Sequence, residues 1–264
     1  MSNTIKRVKE HYNEALEYFP EDKIVGIFLQ GSQNYQLDTE FSDVDTKLII
    51  VPTFTEIAMN KQPLSTTHVR ENDEHIDFKD IRLYINTFRK QNINFLEILF
   101  TPFKITNPLY ASEWNRLVEA REDIAHYNLY RAVKALKGMA MEKYHALKHP
   151  YPSKLEVLAE YGYDSKQLHH LLRLEEFLNR YISGESYTNC LIPADIDYLR
   201  EVKLGLYNLE DAEKQAKRAI DNITAVADKF TDKVENVGDP KVDELLNDVQ
   251  VNIMKIAIKK DIDK

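Results

Sequence analysis

"FLQGSQNYQLDTEFSDVDTKLIIVP", residues 28–52, decides how this chain is read. An apolar run is broken by Gly31-Ser32, ten residues follow, and Asp43-Val44-Asp45 opens a second apolar run that Pro52 stops. Both runs are short and rich in β-branched residues, which predicts two strands, over about 23–30 and 46–52. Side chains alternate along a strand, so Asp43 and Asp45 are expected to project together while Val44 turns to the opposite face. Carboxylates held that close repel each other unless a cation neutralises them. An oxygen-only ligand set suits Mg²⁺ or Mn²⁺ better than zinc. The backbone N–H groups of the turn and the Ser32 hydroxyl are the donors a phosphate needs. A phosphate-holding turn beside a carboxylate pair is a nucleotide-handling arrangement.

The stretch "GSQNYQLDTEFSDVDTK" resembles the nucleotidyltransferase signature of the DNA polymerase β superfamily. It is similar in particular to the stand-alone predicted nucleotidyltransferases of bacteria and their phages, including the RNA-ligase-associated group. The resemblance implies that Gly31 and Ser32 hold a triphosphate and that Asp43 and Asp45 bind metal ions. It also implies a third carboxylate on a nearby strand, and "EHIDFKDIR" offers Asp77 and Asp80. Asp77 lies between Ile76 and Phe78 and is the expected ligand. Asp80 directly precedes a helical run, where an N-cap is the simpler role, and Glu74 ranks third. The sequence departs from the family at Gln36, where the family usually has glycine, so the turn is expected to sit differently there.

A second cluster lies in "YDSKQLHHLLRLEEFLNR", where Lys166, His170 and Arg173 fall at i, i+4 and i+7 on one helical face. The spacing alone fits a solvated face as well as a phosphate-binding one. The stand-alone family carries a similar Lys…His…Arg helix, followed by a Leu-Pro step and a Lys/Arg-x-Gly turn. "LIPADIDYLREVKLG" matches that order. The resemblance therefore implies that these three side chains contact the nucleotide, from the far side of a cleft.

Beyond these motifs the chain is helical in character. Seven glycines in 264 residues and long Leu/Ala/Glu/Lys-rich segments predict helices at about 4–18, 164–183, 194–204, 208–230 and 241–260. "STTHVR" and "EHIDFKD" flank a polar "END" and predict a hairpin. The expected fold is α+β: a small mixed or antiparallel nucleotidyltransferase sheet with flanking helices over residues 1–104, then an all-helical unit over 105–264. "HPYPSK", residues 149–154, is the clearest break within the latter. Glu97, set among apolar residues in "NFLEILF", is expected to be structural. A single cysteine, Cys190, excludes an intramolecular disulfide and any Cys-cluster metal site. No apolar run reaches the roughly 20 residues of a membrane span, so a cytoplasmic location is expected.

The expected activity is metal-dependent transfer of a nucleoside monophosphate from an NTP, with ATP the first choice, to an acceptor hydroxyl with release of pyrophosphate. Asp43, Asp45 and Asp77 would hold two Mg²⁺ (or Mn²⁺) ions. An RNA 3′ end, such as that of tRNA, is the first acceptor considered, although the formal charge of -8 counts mildly against it. A protein hydroxyl (AMPylation) is the alternative acceptor. A non-catalytic nucleotide-binding regulator is the alternative class. Oligomeric state is not legible.

Overall fold

The computed structural model describes residues 3–40, 42–149, 151 and 155–263, so most of the proline-bracketed break lies outside the described residues. The chain is α+β and divides into two compact units. One comprises residues 1–34, 38–128 and 238–264; the other comprises residues 35–37 and 129–237. These differ from the expected 1–104 and 105–264 because helices beyond residue 104, including the last one, pack into the sheet unit.

The sheet unit begins with α1 (Asn3–Ala15) and β1 (Ile24–Gln30), followed by β2 (Asp45–Ile50) and α2 (Phe54–Ala58). β3 (Ser65–Val69), β4 (His75–Asp80), α3 (Ile81–Arg89) and α4 (Ile93–Leu96) come next. β5 (Lys104–Thr106), α5 (Ala111–Glu119) and α6 (Arg121–Ala125) complete the run before the chain enters the second unit. The strand order is β3-β4-β2-β1-β5. β2 and β4 are parallel, and every other pair is antiparallel. The expected hairpin is therefore present as β3–β4 in a mixed sheet.

Alternation decides what each face buries. Ile27 and Leu29 of β1, Leu48 and Ile50 of β2, and Ile76 and Phe78 of β4 form one core cluster, joined by Val8 and Ala15 of α1. Burying a side chain of this size stabilises by about 1.5–3 kcal/mol. Phe28 points the other way, its ring centroid 4.4 Å from that of Trp114 in α5, and both are fully buried. Asp80 accepts from the Arg82 amide and N-caps α3, as its place before the helix suggests.

The last helix, α13 (Pro240–Ile262), packs against α5, α2 and α3. Ion pairs Arg89–Asp243 at 2.6 Å, Arg116–Asp248 at 2.7 Å and Lys23–Asp261 at 2.6 Å run along it.

The helical unit holds α7 (Leu129–Ala146), α8 (Leu155–Tyr161), α9 (Ser165–Ile182), α10 (Tyr187–Leu191), α11 (Ile196–Lys203) and α12 (Leu209–Thr231). α7, α9 and α12 pack against one another, and α10 and α11 pack on α9. Leu168, Leu171, Leu172 and Phe177 of α9 are buried, as its apolar stripe predicts. No described helix is long and apolar enough to cross a membrane.

Candidate nucleotide site

The β1–β2 ladder pairs Gln30, the last residue of β1, with Asp45, the first of β2. The Gly31-Ser32 turn therefore starts alongside the aspartates. Gly31 takes a φ of +119°, a conformation costly for any side-chain-bearing residue. Its N–H donates to Glu97 Oε1 at 3.2 Å. Asn34 donates through Nδ2 to the Leu29 carbonyl and accepts from the Thr101 hydroxyl at 2.6 Å, and Gln33 Nε2 donates to the Asp43 carbonyl at 2.8 Å. Turn and aspartate segment are thus tied together by side chains. Glu97, fully buried, serves the turn.

Val44 is buried in the α1-side cluster, whereas Asp43 is exposed and Asp45 half-exposed. Val44 thus faces the core while the two aspartates reach the surface, with β2 itself beginning at Asp45. Asp45 Oδ1 accepts from the His75 backbone N–H at 2.9 Å and lies 3.1 Å from His75 Nδ1.

Asp77 is on the strand the resemblance pointed to, in register with Lys47. Its surroundings are not those of a waiting metal ligand. Oδ2 accepts from Lys47 Nζ at 3.0 Å, and Oδ1 accepts from the Thr67 hydroxyl at 2.6 Å. Burial pushes the Asp77 carboxyl up, but Lys47 and Thr67 outweigh it and hold it below the ordinary carboxylate range. Among the described residues, no three Asp, Glu, His or Cys side chains come together as a metal-binding group. The structure brings Asp43 and Asp45 beside the turn and engages Asp77 with a lysine instead.

The sequence reading underestimated Glu74. It is 1% exposed and accepts from the Val44 N–H at 2.9 Å, within the Asp43-Val44-Asp45 step. Arg7, Arg70 at 2.7 Å and Asn72 at 2.8 Å also donate to it. Arg7 reaches the Ser42 carbonyl at 3.1 Å, so the chain is held on both sides of Asp43. Burial, reinforced by Arg70, lowers the His11 pKa to about 4, so its imidazole is neutral near pH 7. Because a carboxylate only accepts, His11 Nε2–H donates to Glu74 at 2.9 Å, and Nδ1 accepts from the Thr46 hydroxyl at 2.9 Å. An acidic residue opening a strand was the only local signal. Its partners Arg7 and His11 lie more than sixty residues away.

In the helical unit, Lys166 is exposed, His170 partly buried and Arg173 buried at 5% exposure. Burial, then His169 and Arg173, pushes the His170 pKa below the ordinary imidazole range. The Arg173 guanidinium lies 4.0 Å from the centroid of Tyr35, a cation–π stack inside this unit. The next two residues are held as well: Arg200 donates to the Gln36 carbonyl at 2.7 Å and Lys203 to that of Leu37 at 3.3 Å. Gln36 adopts φ +60°, the left-handed conformation glycine takes most cheaply. Glutamine at this position thus keeps a glycine-like backbone.

No family model and no curated protein matches the chain. Among solved structures it is similar to a nucleotidyltransferase-like protein from Exiguobacterium sibiricum 255-15, over 85% of this chain and 74% of that one, at 11% identity and a TM-score of 0.31. A superposition that loose carries no argument for fold or activity, and the case for function rests on the residues themselves.

Proposed function

We propose that this protein transfers a nucleoside monophosphate from an NTP, ATP first among them, to an acceptor hydroxyl with release of pyrophosphate. The observation that supports this most is the pairing of Gln30 with Asp45, which starts the Gly31-Ser32 turn beside the Asp43/Asp45 carboxylates. Mg²⁺ arriving on a triphosphate takes only one or two protein carboxylates, the phosphates and water supplying its other ligands. Asp43, exposed, and Asp45, half-exposed, make an oxygen donor set that fits such an ion. When bound, the ion offsets the triphosphate's charge and stabilises the leaving pyrophosphate.

The chain's own part is positioning. The Ser32 hydroxyl donates to a phosphate oxygen of the tail. Glu97 and Asn34 fix the turn, while Glu74 and Arg7 fix the segment carrying Asp43. In the transfer, the acceptor oxygen bonds to the α-phosphorus and the bond from that phosphorus to the β-bridging oxygen breaks. Pyrophosphate leaves, and the hydroxyl proton passes to solvent. An RNA 3′ end is the acceptor proposed first.

The test is incubation of the purified chain with Mg²⁺, each α-³²P NTP in turn, and either tRNA or cell lysate. Label on RNA is the expected result. Label on protein moves the acceptor to a protein hydroxyl, and no transfer to either contradicts the proposal.

A further inference from the structure

The resemblance implies two divalent ions, the second held by a third carboxylate on a strand near Asp43 and Asp45. The residues here do not fit that second ion. Both oxygens of Asp77 already accept from protein donors, Lys47 Nζ at 3.0 Å and the Thr67 hydroxyl at 2.6 Å. Lys47 is 4% exposed, so its ammonium is a fixed, largely desolvated charge and not a mobile surface one. It is held on the Phe95 ring at 4.7 Å from the centroid, and Lys79 Nζ lies over the same ring at 4.6 Å. A dication placed on Asp77 would meet two ammonium groups at close range.

The strand register sets which side chains surround Asp77. On the face opposite the α1 core, β2 presents Asp45 and then Lys47, and β4 presents His75 and then Asp77, with Lys47 directly beside Asp77. An ion shared by Asp45 and Asp77 would have to sit among these four side chains. Asp45 turns Oδ1 to His75, and Asp77 turns to Lys47.

We infer that the site works with a single divalent ion, carried by Asp43 and Asp45 with the triphosphate, and that the Lys47 ammonium stands where the second ion would be. This rests on the nucleotide site proposed above. The Lys47 charge is built into the chain, so one positive charge at Asp77 is present whatever the metal concentration.

The experiment is a Mn²⁺ titration of the full chain, followed by electron paramagnetic resonance, with a non-hydrolysable ATP analogue (α,β-methylene-ATP) present in excess. The wild-type chain is expected to bind one Mn²⁺ with an uncoupled signal, and Asp77→Asn is expected to leave that number at one. Lys47→Ala uncovers Asp77 and is expected to raise it to two, with exchange coupling between the ions. Two ions in the wild-type chain overturn the inference while leaving the nucleotide site standing. Lys47→Ala remaining at one, or Asp77→Asn losing the wild-type ion, also overturns it. Binding of neither Mn²⁺ nor analogue overturns the inference and the proposed function together.

Discussion

The sheet unit and the helical unit each bury a neutral histidine beside an arginine, but they stabilise these polar groups in different ways. In the sheet unit His11, Arg7 and Arg70 converge on one buried carboxylate, Glu74, which in turn accepts the Val44 N–H. In the helical unit His169 Nδ1–H donates to the Leu199 carbonyl at 2.8 Å, and Arg173 lies on the Tyr35 ring. The first device is ionic and fixes the backbone around Asp43. The second is built from π-face and carbonyl contacts and holds residues 35–37. Low dielectric makes the first strong when complete and costly when broken, whereas the second loses one contact at a time.

The largest expected effect breaks that contrast at its centre. Glu74→Ala removes the buried carboxylate on which two partly buried arginines and His11 converge and is expected to cost about 3–5 kcal/mol, read by urea unfolding. Arg173→Ala is expected to cost about 2 kcal/mol from the desolvated stack. Equal losses would erase the distinction between the two devices.

The pH dependence comes next, and here the units should agree. Burial lowers both His11 and His169 to about 4 from an ordinary 6.5. Between those values the unfolded chain binds more protons than the folded one, so stability rises with pH. The contribution is complete above about pH 6.5 and is lost as pH falls toward 4, up to about 3 kcal/mol for each histidine. Urea midpoints at pH 7, 5.5 and 4.5 check it. His11→Gln should flatten the slope of the sheet unit and leave that of the helical unit. A variant that leaves the slope unchanged would remove His11 from the account.

The smallest effect is at Gln36, at φ +60°. Gln36→Gly relieves the left-handed strain but adds freedom to the unfolded chain, so a gain of at most about 1 kcal/mol is expected. A loss would show that the glutamine side chain does more than tolerate the turn.

The elements that carry the candidate site were legible because their signals are local. The apolar runs before Gly31 and after Asp45 gave β1 and β2 within two residues, and polar "END" between two alternating runs gave β3–β4. α9 and α12 match their expected spans within one residue at each end, because caps at Asp164 and Asn208 and a 3.6-residue apolar period agree. β5 was missed: three residues, Lys104–Thr106, are too short to show a period. The α5–α7 stretch, given no helix bounds from the sequence, breaks at Ala120 and again after Ala125.

The candidate site was only half legible for a related reason. Asp43, Asp45 and the Gly31-Ser32 turn are neighbours in sequence. The Lys47–Asp77 pair depends on the register between β2 and β4, thirty residues apart, and the Glu74 cluster depends on where α1 lands on the sheet. No local pattern encodes either. The resemblance implied that Asp77 is a metal ligand, and only its neighbour across the ladder shows that it already holds Lys47.

The most direct test of the central claim is transfer of α-³²P label from ATP by the wild-type chain and by the Asp43→Asn, Asp45→Asn double variant, with urea midpoints measured on both. The account predicts a variant that unfolds near the wild-type midpoint and transfers no detectable label. A folded variant that transfers label at the wild-type rate would contradict it.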